Sequence, residues 1–225
     1  MLRVCVVDSK ELGGRGMYGD EILHFLSGMD VVIMLRAPTH KDEDASRSLA
    51  SVLENHAGTP MSHLFARNQD STHSTVVARA ERAKLVRWHA PGDGSLHVLV
   101  SCLGDPERHV AIRAAPWTSE TEPTDTFFYG ADGDAVVAVV ASDATAKQTS
   151  YTDGERWASV AMAKWGRNVY CIAMSERTNV SAAPIALRSH HPAVDDDDDV
   201  DALGDTAERK AAVPVEVVVQ FASAG

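Results

Sequence analysis

The stretch from Thr124 to Ser175 limits the fold more than any other part of this 225-residue chain, because it runs strand, turn, strand, helix and strand with little slack between them. Phe127-Phe128-Tyr129 begins a strand, and Ala131-Asp132-Gly133-Asp134 supplies the Asp-Gly pair that tolerates the positive φ of a hairpin turn. Ala135 to Ala141 is almost wholly apolar, as in a strand buried on both faces. Thr152-Asp153-Gly154-Glu155 has the spacing of a capping box, in which the Thr152 hydroxyl accepts from the Glu155 N–H. That predicts a helix to about Trp165, with Trp157, Ala161 and Trp165 on its packed face. Gly166 suits the left-handed position after such a helix, and Val169 to Met174 follows as a strand.

The segments before it supply further strands. Leu2 to Val7 is valine-rich and reads as a buried strand, and Val31 to Leu35 as a second one. Between them lies Gly13-Gly14-Arg15-Gly16-Met17-Tyr18-Gly19, where Gly14, Gly16 and Gly19 have the spacing G-x-G-x-x-G, followed by a short helix from Asp20 to Ser27. A dinucleotide fingerprint needs the first glycine close behind the strand and an acid at the end of the next strand. Here Ser9 to Gly13 intervene and Arg36 stands at the second position, so a surface loop competes with a nucleotide site. Thr39 to Gly58 holds an amphipathic helix with Ala45, Leu49, Val52 and Leu53 on one face, ended by Gly58-Thr59-Pro60. Met61 to Ser74 is polar and aperiodic, which predicts a long mobile loop. Strand-forming residues return at Val76-Val77-Ala78 and Leu85 to Trp88, and Pro91-Gly92-Asp93-Gly94 turns the chain into Leu96 to Leu103 as a hairpin. His109 to Ala114 alternates, implying a strand with one wet face. The pieces make an antiparallel meander.

After Ser175 the pattern fades. Arg188 to Arg209 is poor in apolar residues and contains the run Asp195–Asp199, the composition of a solvated, disordered segment. Val213 to Phe221 alternates again and reads as an edge strand, since Pro214 has no N–H for a central position. The organisation expected is a single α+β domain over 1–187, with a mostly antiparallel sheet, flanking helices and a recognisable core at 96–175. An acidic segment at 188–210 and a C-terminal edge strand at 211–225 complete it.

Charge and cysteines narrow the function classes. The formal net charge is -11, which argues against nucleic-acid or anionic-membrane partners because those surfaces are met by Lys and Arg. Eight of the acids lie between Asp195 and Glu208 and leave the remainder at -3. Cys5, Cys102 and Cys171 are far apart in apolar runs, as small buried side chains in a reducing compartment would be. No stretch approaches the length of a membrane span, so a cytoplasmic location is expected, with the nucleus not excluded. Nucleophile elbows, P-loops, H-E-x-x-H and paired zinc ligands are absent; His63 and His73 fit no ligand spacing. Carboxylates on the turns at 92–94 and 131–134 could meet a metal, but the glycines there are accounted for by turning the chain. The expected site residues are therefore none: catalytic none, cofactor-binding none, metal none, and no cofactor.

From Leu96 to Ser175 the order of pieces resembles the proteasome assembly chaperone 4 family. The residues that carry the resemblance are a strand ending in Leu103-Gly104, the His109 to Arg113 strand, Asp125-x-x-Phe128 leading to Gly130-Ala131-Asp132, the Ala138-Val139 strand, and a helix with Ala158 and Lys164 running through Arg167 into Val169-Tyr170. The resemblance implies a non-enzymatic chaperone that assists assembly of the 20S proteasome α-ring. Its partners would be a related chaperone subunit, as a heterodimer, and proteasome α subunits, with no nucleic acid and no membrane. The alternative is a nucleotide-binding enzyme using the loop from Gly14 to Gly19; a structural subunit of a larger assembly is a third reading.

Overall fold

The computed structural model describes residues 1–8, 20–37, 44–117, 135–142, 159–165, 168–175, 179–184 and 215–221. The chain begins with strand β1 (Leu2–Asp8), helix α1 (Asp20–Ser27) and strand β2 (Val31–Ala37). β2 lies parallel to β1, with Val4 opposite Val31 and Asp8 opposite Leu35. A parallel neighbour needs a crossover, and α1 provides it on one face of the sheet. Helix α2 (Asp44–Ala57) follows and stops at Gly58, whose φ of +66 suits a residue without a Cβ.

Strands β3 (Met61–Arg67) and β4 (His73–Arg79) form a hairpin paired from Met61↔Arg79 to Arg67↔His73. A short turn, closed by Arg82 N donating to Arg79 O at 2.9 Å, leads into β5 (Ala83–His89). Then come β6 (Leu96–Cys102), β7 (Asp105–Trp117), β8 (Ala135–Ser142), β9 (Ser159–Trp165), β10 (Asn168–Ser175), β11 (Asn179–Pro184) and β12 (Val215–Gln220). They make two six-stranded sheets, ordered β11-β12-β1-β2-β4-β3 and β5-β6-β7-β8-β10-β9. Among the described strands, each sheet has one parallel pair, at its centre: β1 with β2 and β7 with β8.

Alternation along the strands builds the layers. Leu2, Val4 and Val6 of β1, Ile33 and Leu35 of β2, and Val217 and Val219 of β12 meet Leu96, Val98 and Val100 of β6 and Val110 and Ile112 of β7 in one core between the sheets. The opposite face of the first sheet carries Cys5, Val7, Val32 and Met34, packed on Leu23 and Leu26 of α1 and Leu49 and Leu53 of α2. Strands apolar on both faces are what this double burial requires. Cys5 and Cys102 are buried in these layers as small side chains. Among the described residues, no helix is long and apolar enough to cross a membrane.

The sheet-rich α+β class is as expected, with only two helices described, but several local expectations need correction. Met61 to Ser74 is a hairpin rather than a loop. β3 is an edge strand, so its alternation is diluted by exposed positions while β4 supplies its hydrogen bonds. The His109–Ala114 strand has no wet face, since Val110 to Pro116 are buried on both sides. Ser159–Trp165 is a strand paired with β10, not the end of a helix. The i, i+4, i+8 spacing that suggested a helix is even, so it also falls on one face of a strand. β12 is not an edge strand: β1 and β11 flank it. The meander is broken as well, because β7 and β8 run parallel. The turn at Asp132-Gly133, the capping box at Thr152, the glycine loop at 9–19 and the acidic run Asp195–Asp199 lie outside the described residues.

The position of β12 gives a direct test. Val217 is fully buried between two strands and two sheets, so Val217→Ala should destabilise the protein by roughly 2 kcal/mol, read as a shift in the urea unfolding midpoint at constant m. An edge position would give a near-neutral change.

Candidate functional site

In open sheets with parallel strands, ligands are met beyond the carboxyl ends of those strands. At that end of β1 stands Asp8, and at that end of β2 stands Arg36; both are buried. The Arg36 Nε donates to Asp8 Oδ1 at 3.1 Å, and Nη2 donates to Asp8 Oδ2. This bidentate geometry is the strongest way a guanidinium meets a carboxylate, and it offsets the cost of taking both charges out of water.

The backbone is bent to allow it. β2 loses register with β4 between Met34 and Ala37, and Arg36 has φ +51, a conformation that costs a non-glycine residue of the order of 1 kcal/mol. The side chain then lies where the two sheets meet. A Cβ built on Gly94, in the turn between β5 and β6, would stand 2.9 Å from Arg36 Cγ and 3.3 Å from Pro116 Cγ, so only glycine fits beside the arginine stem. Gly94 also has φ +92, which glycine alone adopts freely.

A polar seam continues from there along the β3–β4 turn. Ser74 Oγ donates to Gly94 O at 3.3 Å, and Asn68 Nδ2 donates to Ser74 Oγ at 3.2 Å and to Thr72 Oγ1 at 2.9 Å. Gln69 N donates to Gly92 O at 2.8 Å, tying the turn of one sheet to the turn of the other. Asn68 is 7% exposed, yet its Oδ1 is buried without a hydrogen-bond partner. A buried acceptor left in that state costs free energy unless something else donates to it.

On the second sheet, His89, His97 and Arg113 lie side by side across β5, β6 and β7. The His97 imidazole is pushed down to about 4, first by burial, then by the Arg113 charge and by His89, with Asp93 acting the other way. It is thus neutral at pH 7.

The residues singled out in the sequence fare unevenly among these elements. Gly14, Gly16 and Gly19 lie outside the described residues, although the strand before them ends at Asp8. His63 is exposed on β3, whereas His73 is buried on β4 with its ring 5.0 Å from that of Phe65. Asp93 accepts from Ser95 N at 2.8 Å and Ser95 Oγ at 2.5 Å, which is the work of a turn. Among the described residues no group of three His, Cys, Asp or Glu could hold a metal ion. Sequence reasoning misses the Asp8–Arg36 pair. Its only signal is an acid closing the first valine strand and a base closing the second, and pairing across 28 positions is not visible without the strand order. A separate cleft of about 510 Å³ opens at the opposite end, lined by Leu2, Asp30, Arg82, Leu103, Arg108 and Phe221.

No protein-family model and no curated protein matches the sequence. Solved structures do match the fold. TDP2 from D. rerio, complexed with a single strand DNA product, has a TM-score of 0.52 at 10% identity, covering 98% of this chain and 99% of the TDP2 chain. A D. rerio TDP2 humanized by 14 mutations gives 0.51 at 11% identity, covering 98% and 99%. The catalytic domain of human nocturnin, with a bound sulfate anion, gives 0.50 at 11% identity, covering 97% of this chain and 94% of that one. At these identities the likeness is one of fold.

These findings correct the resemblance to a proteasome assembly chaperone, and with it the heterodimer, the α-ring partners and the non-enzymatic reading. The resemblance rested on an order of weak pieces from Leu96 to Ser175, one of which, the helix through Lys164, is a strand. The exclusion of nucleic acid is overturned too, since a protein of this fold holds single strand DNA. Net charge was the wrong quantity, because eight acids in one segment say little about the field at the Asp8 end.

Two outcomes test the geometry. Gly94→Ala combines a disfavoured φ with a clash on Arg36 and should cost more than about 1 kcal/mol in denaturant unfolding. For His97, the folded value of about 4 lies below the ordinary 6.5, so between them the unfolded chain holds a proton the native one lacks. Its contribution is present above pH 6.5 and is lost as the pH falls toward 4. Urea midpoints at pH 7 and at about pH 4.5 should therefore differ less in His97→Gln than in the wild type.

Proposed function

We propose that this protein is a phosphoesterase acting on single-stranded nucleic acid at the end of the sheets where Asp8 and Arg36 meet. The observation that carries the reading is the buried bidentate pair at the carboxyl ends of parallel strands, set in a seam of amide and hydroxyl groups. A phosphodiester brings negative charge that grows on its oxygens during transfer, and fixed donors in a dry site stabilise it far better than water does. Arg36 offers such a donor, held by Asp8 on one side and by Gly94 and Pro116 along its stem. Shared fold adds support, since the D. rerio TDP2 chain carries a single strand DNA product and the nocturnin domain a sulfate anion.

Metal ions commonly supply the positive charge in phosphodiester enzymes. The described donor set does not fit one: Arg36 engages both oxygens of Asp8, and no three-ligand group is present among the described residues.

The test is cleavage of end-labelled single-stranded DNA and RNA oligonucleotides, with Mg²⁺ or Mn²⁺ and separately with chelator. Release of product above the protein-free rate is expected, falling by about 100-fold or more in Arg36→Gln. A folded protein with no turnover on either polymer in any of these conditions would overturn the proposal.

A further inference from the structure

Resting on the phosphoesterase reading, we infer that Arg36 is the resident cation of the site, so that phosphate is bound through its guanidinium without a divalent metal. A guanidinium has five N–H groups. Asp8 occupies the Nε and Nη2 edge, and Nη1 makes no hydrogen bond to a described residue. One planar fork can thus face the carboxylate while its other edge faces an anion, as guanidinium does where it bridges two acids.

The arrangement is built in advance. Positive φ at Arg36, the register break after Met34, and the contact of its stem with Gly94 set the fork before any ligand arrives. A donor fixed in this way loses little rotamer freedom on binding. The seam supplies an independent sign of a ligand. Asn68 is buried, its Nδ2 is bound to Ser74, Ser74 is bound to Gly94, and its Oδ1 has no partner among the described residues. That oxygen accepts only, so it suits a hydroxyl or a ligand-held water next to the phosphate rather than the phosphate itself.

The sign of one substitution separates this inference from a metal site. Were Asp8 a metal ligand, its loss would weaken phosphate binding. With Arg36 as the cation, Asp8 is a competing negative charge within the same fork, and removing it leaves Arg36 more attractive to an anion.

The experiment is fluorescence anisotropy with a 5′-labelled oligothymidylate, in EDTA and in Mg²⁺. Wild type is expected to bind equally in both. Asp8→Asn should bind about tenfold more tightly, and Arg36→Gln about tenfold or more weakly. Arg36→Gln removes the positive half of the buried pair, so the double variant Asp8→Asn/Arg36→Gln, checked by thermal melting, repeats the loss in a chain from which both charges of the pair are gone. Binding that needs Mg²⁺ and disappears in Asp8→Asn would overturn the inference and leave the phosphoesterase reading intact. Chelator-resistant binding that survives in the double variant would overturn it as well. Absence of binding in every condition would overturn it too, and the cleavage assay then decides the broader reading by itself.

Discussion

A guanidinium buried between two β-sheets needs acceptors that meet its charge; for Arg36 a carboxylate does so, and much of the local structure at one end of this molecule follows from that pairing. An isolated charge moved out of water loses several kcal/mol that packing cannot return. Asp8 therefore sits opposite Leu35 at the last rung of the β1–β2 ladder, one residue before Arg36. The register break in β2, the left-handed backbone at Arg36, and a glycine across the gap at position 94 are each what the fork needs to reach that carboxylate. Two of the three carry a local cost, which identifies this end as the place where the fold tolerates strain.

The rest of the molecule is arranged to hold that end still. One core runs continuously from Leu2 to Val219 in the first sheet and from Leu96 to Ile112 in the second, while α1 and α2 cover the outer face of the first. Asp30 locks the opposite end: it accepts from Arg3 N at 2.9 Å, and its other oxygen from Arg82 Nε at 3.3 Å. Strand β1 is thereby fixed at both ends, at Arg3 by Asp30 and at Asp8 by Arg36. β12 braces it along its length, with Arg3 Nε donating to Glu216 Oε1 at 2.7 Å. A site placed on strands fixed in this way is held more tightly than one placed on loops.

How much of this was legible in the sequence depended on whether the signal was local. β1, α1, β2 and α2 were readable, because double burial makes a valine run and single burial makes a 3.6-residue stripe. The β5–β6 hairpin was readable from Gly92-Asp93-Gly94. Ser159–Trp165 was not, since an even spacing satisfies both periods and the partner strand, β10, decides between them. β3 was missed for a related reason: an edge strand needs only Met61 and Ala66 buried, too few to show a period. The central place of β12 depended on pairing with strands far away along the chain, as in Val4↔Val217 and Val180↔Val219, which no local pattern encodes. The site was the least legible part. Asp8 and Arg36 each look like the polar residue that ends a strand, and only the parallel arrangement makes them one object.

That arrangement also sets a tension at the site. The carboxylate that makes a buried Arg36 tolerable to the fold is the same group that lowers its attraction for a second anion, so the pair holds stability and recognition in opposition. A lone arginine at this point would bind phosphate more strongly in principle, but it would leave the buried charge uncompensated whenever the ligand was absent. Asn68 shows the same compromise in neutral form. Its amide nitrogen is committed to Thr72 and Ser74, which fixes the side chain, while its oxygen is left without a partner among the described residues. Both residues are half satisfied by the fold, and groups kept in that condition inside a packed interior are the ones a ligand can complete.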